Sequence, residues 1–264
     1  MKRILNISVW VLLIAGLIVT LGFVNQEENN LKCQKLEIRV DNSNDNYFIE
    51  EEDIKAIINN TGNPVVGQPM GFINIPNLEM LINNNPSIAK AEVYKTIDGV
   101  LKVEVKQRNP IIRIFTKRND SFYIDKEGYF MPLSQKYTSR VLIANGYIFS
   151  GYNELNNSNI SEIIKNDSLA AKTIIDDLFV LAQFINKNEW WTAQIQQIYV
   201  DENGELELIP RVGDHRIILG DVNDLEEKFN KLMIFYRQGL SKTGWNEYKT
   251  INLKFENQVV CTKI

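Results

Sequence analysis

Apolar and polar positions alternate with three different periods along this chain, and each period predicts a different kind of element. The first pattern is continuous. Ile4 to Val24 is apolar throughout apart from Asn6, Ser8 and Thr20, with Lys2 and Arg3 before it and no further charge until Glu27. As a helix it would span roughly 31 Å, about the hydrocarbon thickness of a bilayer. It predicts a retained transmembrane anchor, residues 4–24, built on Ile4, Trp10, Leu13, Leu17 and Val24. The basic pair makes residues 1–3 a cytoplasmic tail and sends the bulk of the chain across the membrane. The competing reading is a cleaved signal peptide. The apolar run exceeds the usual h-region of about 7–15 residues, and Thr20-Leu21-Gly22 fits a cleavage site only loosely. Lys32 before Cys33 does not suit a lipidation box.

Residues 25–33 are a polar linker. From Gln34 to Val40 the period is two, with Leu36, Ile38 and Val40 on one side, as in a half-buried strand. A turn over residues 42–46 follows. In the stretch from Ile49 to Ile58 the period becomes helical. Ile54, Ile57 and Ile58 share a face, and acids crowd the first turn, where the helix dipole favours them. Gly62 and Pro64 end it. Ile75 to Ile82 is a second short helix with Leu78, Leu81 and Ile82 as its apolar stripe, closed by Asn83-Asn84-Asn85-Pro86. Two alternating runs, Ile88 to Ile97 and Val100 to Gln107, meet at Asp98-Gly99, a strong hairpin signal. The order strand, helix, helix, strand, strand predicts a compact α+β domain over residues 34–108.

Residues 109–264 read as a second, β-rich domain with amphipathic helices. Strands are predicted at Ile111–Thr116, Ser121–Asp125, Tyr129–Leu133, Val141–Ala144, Ile195–Val200, Leu206–Pro210 and Arg216–Leu219. Asp125-Lys126-Glu127-Gly128 is a turn. Residues 150–168, rich in Asn and Ser, read as a surface loop. Leu169–Asn188 and Asp224–Gln238 have helical periodicity, the latter capped by Gly239. The chain finishes in an extended run from Thr250 to Thr262.

Composition changes the picture little. The chain has 264 residues, a net charge of −4 and interspersed acids and bases, which argues against a nucleic-acid partner. Two cysteines, Cys33 and Cys261, read as unpaired thiols, although an oxidising compartment would let them join. One histidine, His215, makes a His-based metal site or a His-dependent triad hard to build, and no catalytic residue, metal or cofactor is predicted. Asp125 and Glu127 could pair for acid–base work, but a solvated hairpin turn explains them better. His215 reads as a surface residue, and Trp190-Trp191 as core and rim packing.

The first domain resembles a POTRA module, carried by its length, the Asn85-Pro86 break before the hairpin and the exit sequence Val103-Glu104-Val105-Lys106-Gln107-Arg108-Asn109-Pro110. Anchor, POTRA unit and β-rich domain together resemble the FtsQ/DivIB family of bacterial cell-division proteins. Local matches are Arg108-x-Pro110, Tyr123-Ile124-Asp125-x-x-Gly128 and Tyr248-Lys249-Thr250-Ile251-Asn252-Leu253-Lys254-Phe255. An aspartate is common in the family where Asn252 stands. The resemblance implies a non-enzymatic divisome scaffold at the division site, single-pass in the inner membrane with its bulk periplasmic. Its partners would be FtsB and FtsL.

The closing run gives that implication a physical form. Ile251, Leu253, Phe255 and Val259 alternate with Asn252, Lys254 and Glu256. At a sheet edge such a strand would offer unpaired backbone groups to an incoming peptide. The resemblance centres the contacts on Lys254, Phe255, Glu256, Asn257 and Gln258, with Asn252, Tyr248 and Trp245 nearby. The POTRA unit has strand edges of its own, at the Gln34–Val40 strand or its neighbour. Two alternatives remain at this stage: another POTRA-bearing secretion or outer-membrane assembly factor, and a membrane-anchored envelope enzyme.

Overall fold

The computed structural model describes residues 10–18, 30–43, 45–60, 62, 64–156, 159–165 and 173–264. They fall into two units, Met1–Gln107 and Arg108–Ile264. Residues 10–18 are helical, with Trp10, Leu13 and Leu17 exposed, and the remainder of the expected anchor, Ile4 and Val24 included, lies outside the described residues. No helix among the described residues is long and apolar enough to cross a membrane.

In the first unit β1 (Lys35–Asp41) runs parallel to β3 (Val100–Gln107), and β2 (Ile88–Lys95) runs antiparallel to β3, giving the order β1-β3-β2. Helices α1 (Glu51–Asn59) and α2 (Ile75–Asn83) supply Ile54, Ile58, Leu78 and Ile82 to the core. Ile38, Val93, Leu101, Val103 and Val105 meet them from the strands, as the two-residue alternation requires. Each helix start is fixed by a short side chain. The Asp53 carboxylate accepts from the Glu50 amide at 2.9 Å, and Asn74 Oδ1 accepts from the Asn77 amide at 3.1 Å. The buried Gln107 side chain closes the unit. It donates to Asn42 Oδ1 at 2.6 Å and to the Asn46 carbonyl at 2.9 Å, and accepts from the Ile49 amide at 2.9 Å.

The second unit is a nine-stranded mixed sheet. In chain order its strands are β4 (Pro110–Phe115), β5 (Ser121–Asp125), β6 (Phe130–Met131), β7 (Leu142–Gly146), β8 (Ile195–Val200), β9 (Leu206–Pro210), β10 (Arg216–Gly220), β11 (Tyr248–Asn252) and β12 (Val260–Lys263). Their spatial order is β12-β11-β10-β9-β8-β7-β4-β5-β6. The β4–β7, β7–β8 and β10–β11 pairs are parallel, so each needs a crossover. Gly146 ends β7 at φ 108°, where a Cβ would stand 2.1 Å from the Val200 carbonyl oxygen of β8. Only glycine permits that approach.

Among the described residues, six helices connect or cover these strands: α3 (Tyr152–Leu155), α4 (Ile160–Lys165), α5 (Ile175–Asn186), α6 (Glu189–Gln194), α7 (Leu225–Ile234) and α8 (Ser241–Thr243). Leu178, Leu181, Ala182 and Ile185 of α5 and Phe229 and Leu232 of α7 pack with Ile112, Ile198, Leu208 and Ile217 of the sheet.

Several expectations need correction here. The supposed surface loop 150–168 contains α3 and α4, which bury Leu155, Ile160 and Ile163. The expected Leu169–Asn188 helix runs from Ile175 to Asn186, with Thr173 and Ile174 before it non-helical, and residues 166–172 lie outside the described residues. The Tyr129–Leu133 strand shrinks to the two residues of β6. Helix α7 passes at Ile234 into a π-helical turn, Phe235–Leu240, so Gly239 lies within that turn and caps nothing.

Candidate functional site

The closing run is a hairpin, not one strand. β11 lies parallel to β10, with Ile217 opposite Ile251 and Ile218 opposite Asn252, and the Leu253 amide extends the ladder to the Ile218 carbonyl at 2.9 Å. The chain then turns back. Lys254 N–H donates to Asn252 Oδ1 at 3.0 Å, and Asn257 adopts φ 55°. Asparagine is among the few residues that tolerate this left-handed region. β12 returns antiparallel along β11, pairing Asn252 with Val260, Ile251 with Cys261 and Thr250 with Thr262. The outer side of β11 is therefore taken by the protein's own chain, and the sheet margin is β12. The expected face of Ile251, Leu253, Phe255 and Val259 breaks at the turn: Ile251 and Leu253 are fully buried, while Phe255 is 45% exposed.

The turn is held from two sides. Lys231 of α7 donates to the Phe255 carbonyl at 2.7 Å and to the Leu253 carbonyl at 3.4 Å. Its ammonium also pairs with Glu227 at 3.2 Å. Lys254 reaches back over β10 to an ion pair with Glu205. Its path is kept open by Gly220 (φ 80°), where a Cβ would stand 2.9 Å from Lys254 Cγ. The structure thus gathers Lys254, Phe255, Glu256, Asn257 and Gln258 into one exposed turn beside the margin.

Asn252 lies at the end of β11, its side chain committed to that turn. Tyr248 and Trp245 are elsewhere in role. The Tyr248 ring packs on Phe235 with centroids 5.5 Å apart, and Trp245 packs on Tyr236 at 5.1 Å. Both are partly buried against the core. Sequence reasoning missed Lys231 and Glu205, because their partners are carbonyls and a lysine distant in the chain. The β12 margin could have been found from the polar Glu256-Asn257-Gln258 interruption.

Two residues read from sequence as exposed are buried. His215 is 1% exposed, with Nε2 2.8 Å from the Tyr236 hydroxyl and its ring stacked against Trp245. Burial holds its imidazole below the ordinary value, and burial also raises the Tyr236 hydroxyl. Asp125, expected in a solvated turn, is fully buried. It accepts from the Arg108 guanidinium at 2.9 Å, the Tyr129 amide at 2.7 Å and the Glu127 amide at 3.0 Å. Desolvation pushes its carboxyl up, and the Tyr129 amide and Arg108 pull it back. Cys33 and Cys261 are both free thiols, Cys33 buried and Cys261 partly so.

The chain joins a three-stranded βααββ unit, the fold of a POTRA-like domain, to a large mixed sheet ending in a hairpin. The comparisons with known proteins agree. A POTRA-like domain model matches residues 31–106, and the model described as FtsQ/DivIB, C-terminal related matches residues 109–262. The chain belongs to the FtsQ/DivIB, C-terminal related family. It is 24% identical over 257 residues to the cell division protein DivIB of Clostridium tetani (strain Massachusetts / E88), covering 96% of this chain and 86% of that protein.

Proposed function

We propose that this chain is a non-enzymatic cell-division scaffold that captures a partner peptide by strand addition at the β12 margin. The family and the relative named cell division protein DivIB support the cell-division part of this reading. The observation that carries the docking part is the pairing of a margin strand, β12, with a turn hydrogen-bonded to Lys231 that presents Phe255 beside it. Main-chain bonds would supply affinity and the turn's side chains specificity. The partners proposed are FtsB and, through it, FtsL. Ile4–Val24 would anchor the chain in the inner membrane as a single pass. The POTRA unit, residues 34–108, and the β-domain, 109–264, would then lie in the periplasm.

The test is binding of an FtsB–FtsL complex to the full chain. Phe255→Ala should weaken it by about tenfold or more, as for an aromatic anchor in an interface. Photo-crosslinkers at Val260 and Lys263 should trap FtsB, and one at Tyr129, near the opposite margin, should not. Unchanged affinity together with crosslinks only from position 129 would remove the reading.

A further inference from the structure

The three-stranded sheet of the first unit has β2 on its rim. Lys90 to Lys95 lie opposite Lys106 to Leu101 of β3. In an antiparallel edge strand alternate amides point away from the sheet, and the acceptors of Ala91 and Val93 lie outside it, on the neighbouring helix. Those amides are not free. The Val93 N–H donates to Glu79 Oε1 at 2.8 Å, and the Ala91 N–H donates to Asn83 Oδ1 at 2.8 Å. Asn83 Nδ2 lies 3.5 Å from the Ala91 carbonyl oxygen, to which it donates. The Asn83 amide therefore gives Ala91 both the acceptor and the donor that a paired strand residue would give.

The match has a geometric basis. Glu79 and Asn83 are one turn apart on α2, a rise of about 6 Å. Alternate residues of a strand are about 6.8 Å apart. A helix packed along a strand can thus present two side chains in register with two outward amides.

We propose that the β2 edge is a latent pairing surface for a second copy of this chain, held shut by Glu79 and Asn83. The occupant follows from charge. In an antiparallel pair centred on Ala91 opposite Ala91, Lys90 of each copy faces Glu92 of the other, and the contact is self-complementary. Lys90 and Glu92 already pair within one strand on that face. Centring on Glu92 would instead set two like charges together. The plug competes directly with this contact, because its oxygen acceptors stand where the second copy's carbonyls would be.

Sedimentation equilibrium of the full chain tests the proposal. The double variant Glu79→Ala/Asn83→Ala should self-associate roughly tenfold more tightly than the wild type. Glu79→Gln, which keeps the acceptor, should behave as the wild type. Adding Glu92→Lys to the double variant should abolish the gain. Hydrogen exchange on the wild type gives a readout independent of any variant: the Ala91 and Val93 amides should be protected about as well as those of Lys90 and Glu92. The proposal is overturned if those two amides exchange as solvent-exposed groups. It is equally overturned if the double variant, with Lys90 and Glu92 still protected, associates no more tightly than the wild type, or if its association ignores Glu92→Lys.

Discussion

Arg108 holds the buried carboxylate of Asp125 at 2.9 Å while its guanidinium lies over the Tyr129 ring, 4.0 Å from the centroid. The same carboxylate receives the amides of Glu127 and Tyr129, so one side chain fixes both the β5–β6 turn and the first residue of the second unit. Asp125→Ala removes all three bonds and leaves a largely buried cation without its partner. The second unit should lose about 3–5 kcal/mol, read as a lowered urea midpoint.

His215 makes the stability of that unit depend on pH. Its folded value is depressed by burial, so below about pH 6.5 the unfolded chain takes up a proton that the folded chain refuses. Its contribution is complete above that pH and is lost as pH falls toward the folded value. His215→Gln should remove it. The difference in unfolding free energy between wild type and variant should change by up to about 1.4 kcal/mol per pH unit through this window. Parallel curves from pH 7.5 to 5 would contradict the assignment.

If the β12 margin docks a partner as proposed, Lys231 would bear on binding only by positioning the turn. Lys231→Met keeps the apolar stem but releases the carbonyls of Leu253 and Phe255. Stability should fall by about 1–2 kcal/mol. Amides of residues 253–257 should exchange faster, and FtsB capture should weaken with them. Exchange unchanged in the turn would mean that α7 does not hold it.

Much of the architecture could be read from the pattern of side chains. The first unit was legible because each element obeys its own period: Leu101, Val103 and Val105 alternate, Ile54 and Ile58 recur at helical spacing, and Asp98-Gly99 marks the hairpin with Gly99 at φ 81°. The strands from Ile195 to Gly220 were legible for the same reason. The closing hairpin was not. Phe255 continues the rhythm of Ile251 and Leu253 beyond the point where the backbone leaves the sheet, so periodicity alone carried the strand too far. Short helices α3 and α4 hide in polar sequence, each contributing only one or two buried side chains. The burial of His215 and Asp125 depends on Tyr236, Trp245 and Arg108, neighbours brought together only by the fold.

β12 is only four residues long. A guest laid along it has room for a few ladder bonds, each worth about 1 kcal/mol net. Under the proposed docking, so modest a grip would let go readily, and most of the discrimination between guests would come from contacts such as Phe255. A complex gathered on such a short rail could then be dismantled and rebuilt without unfolding its host.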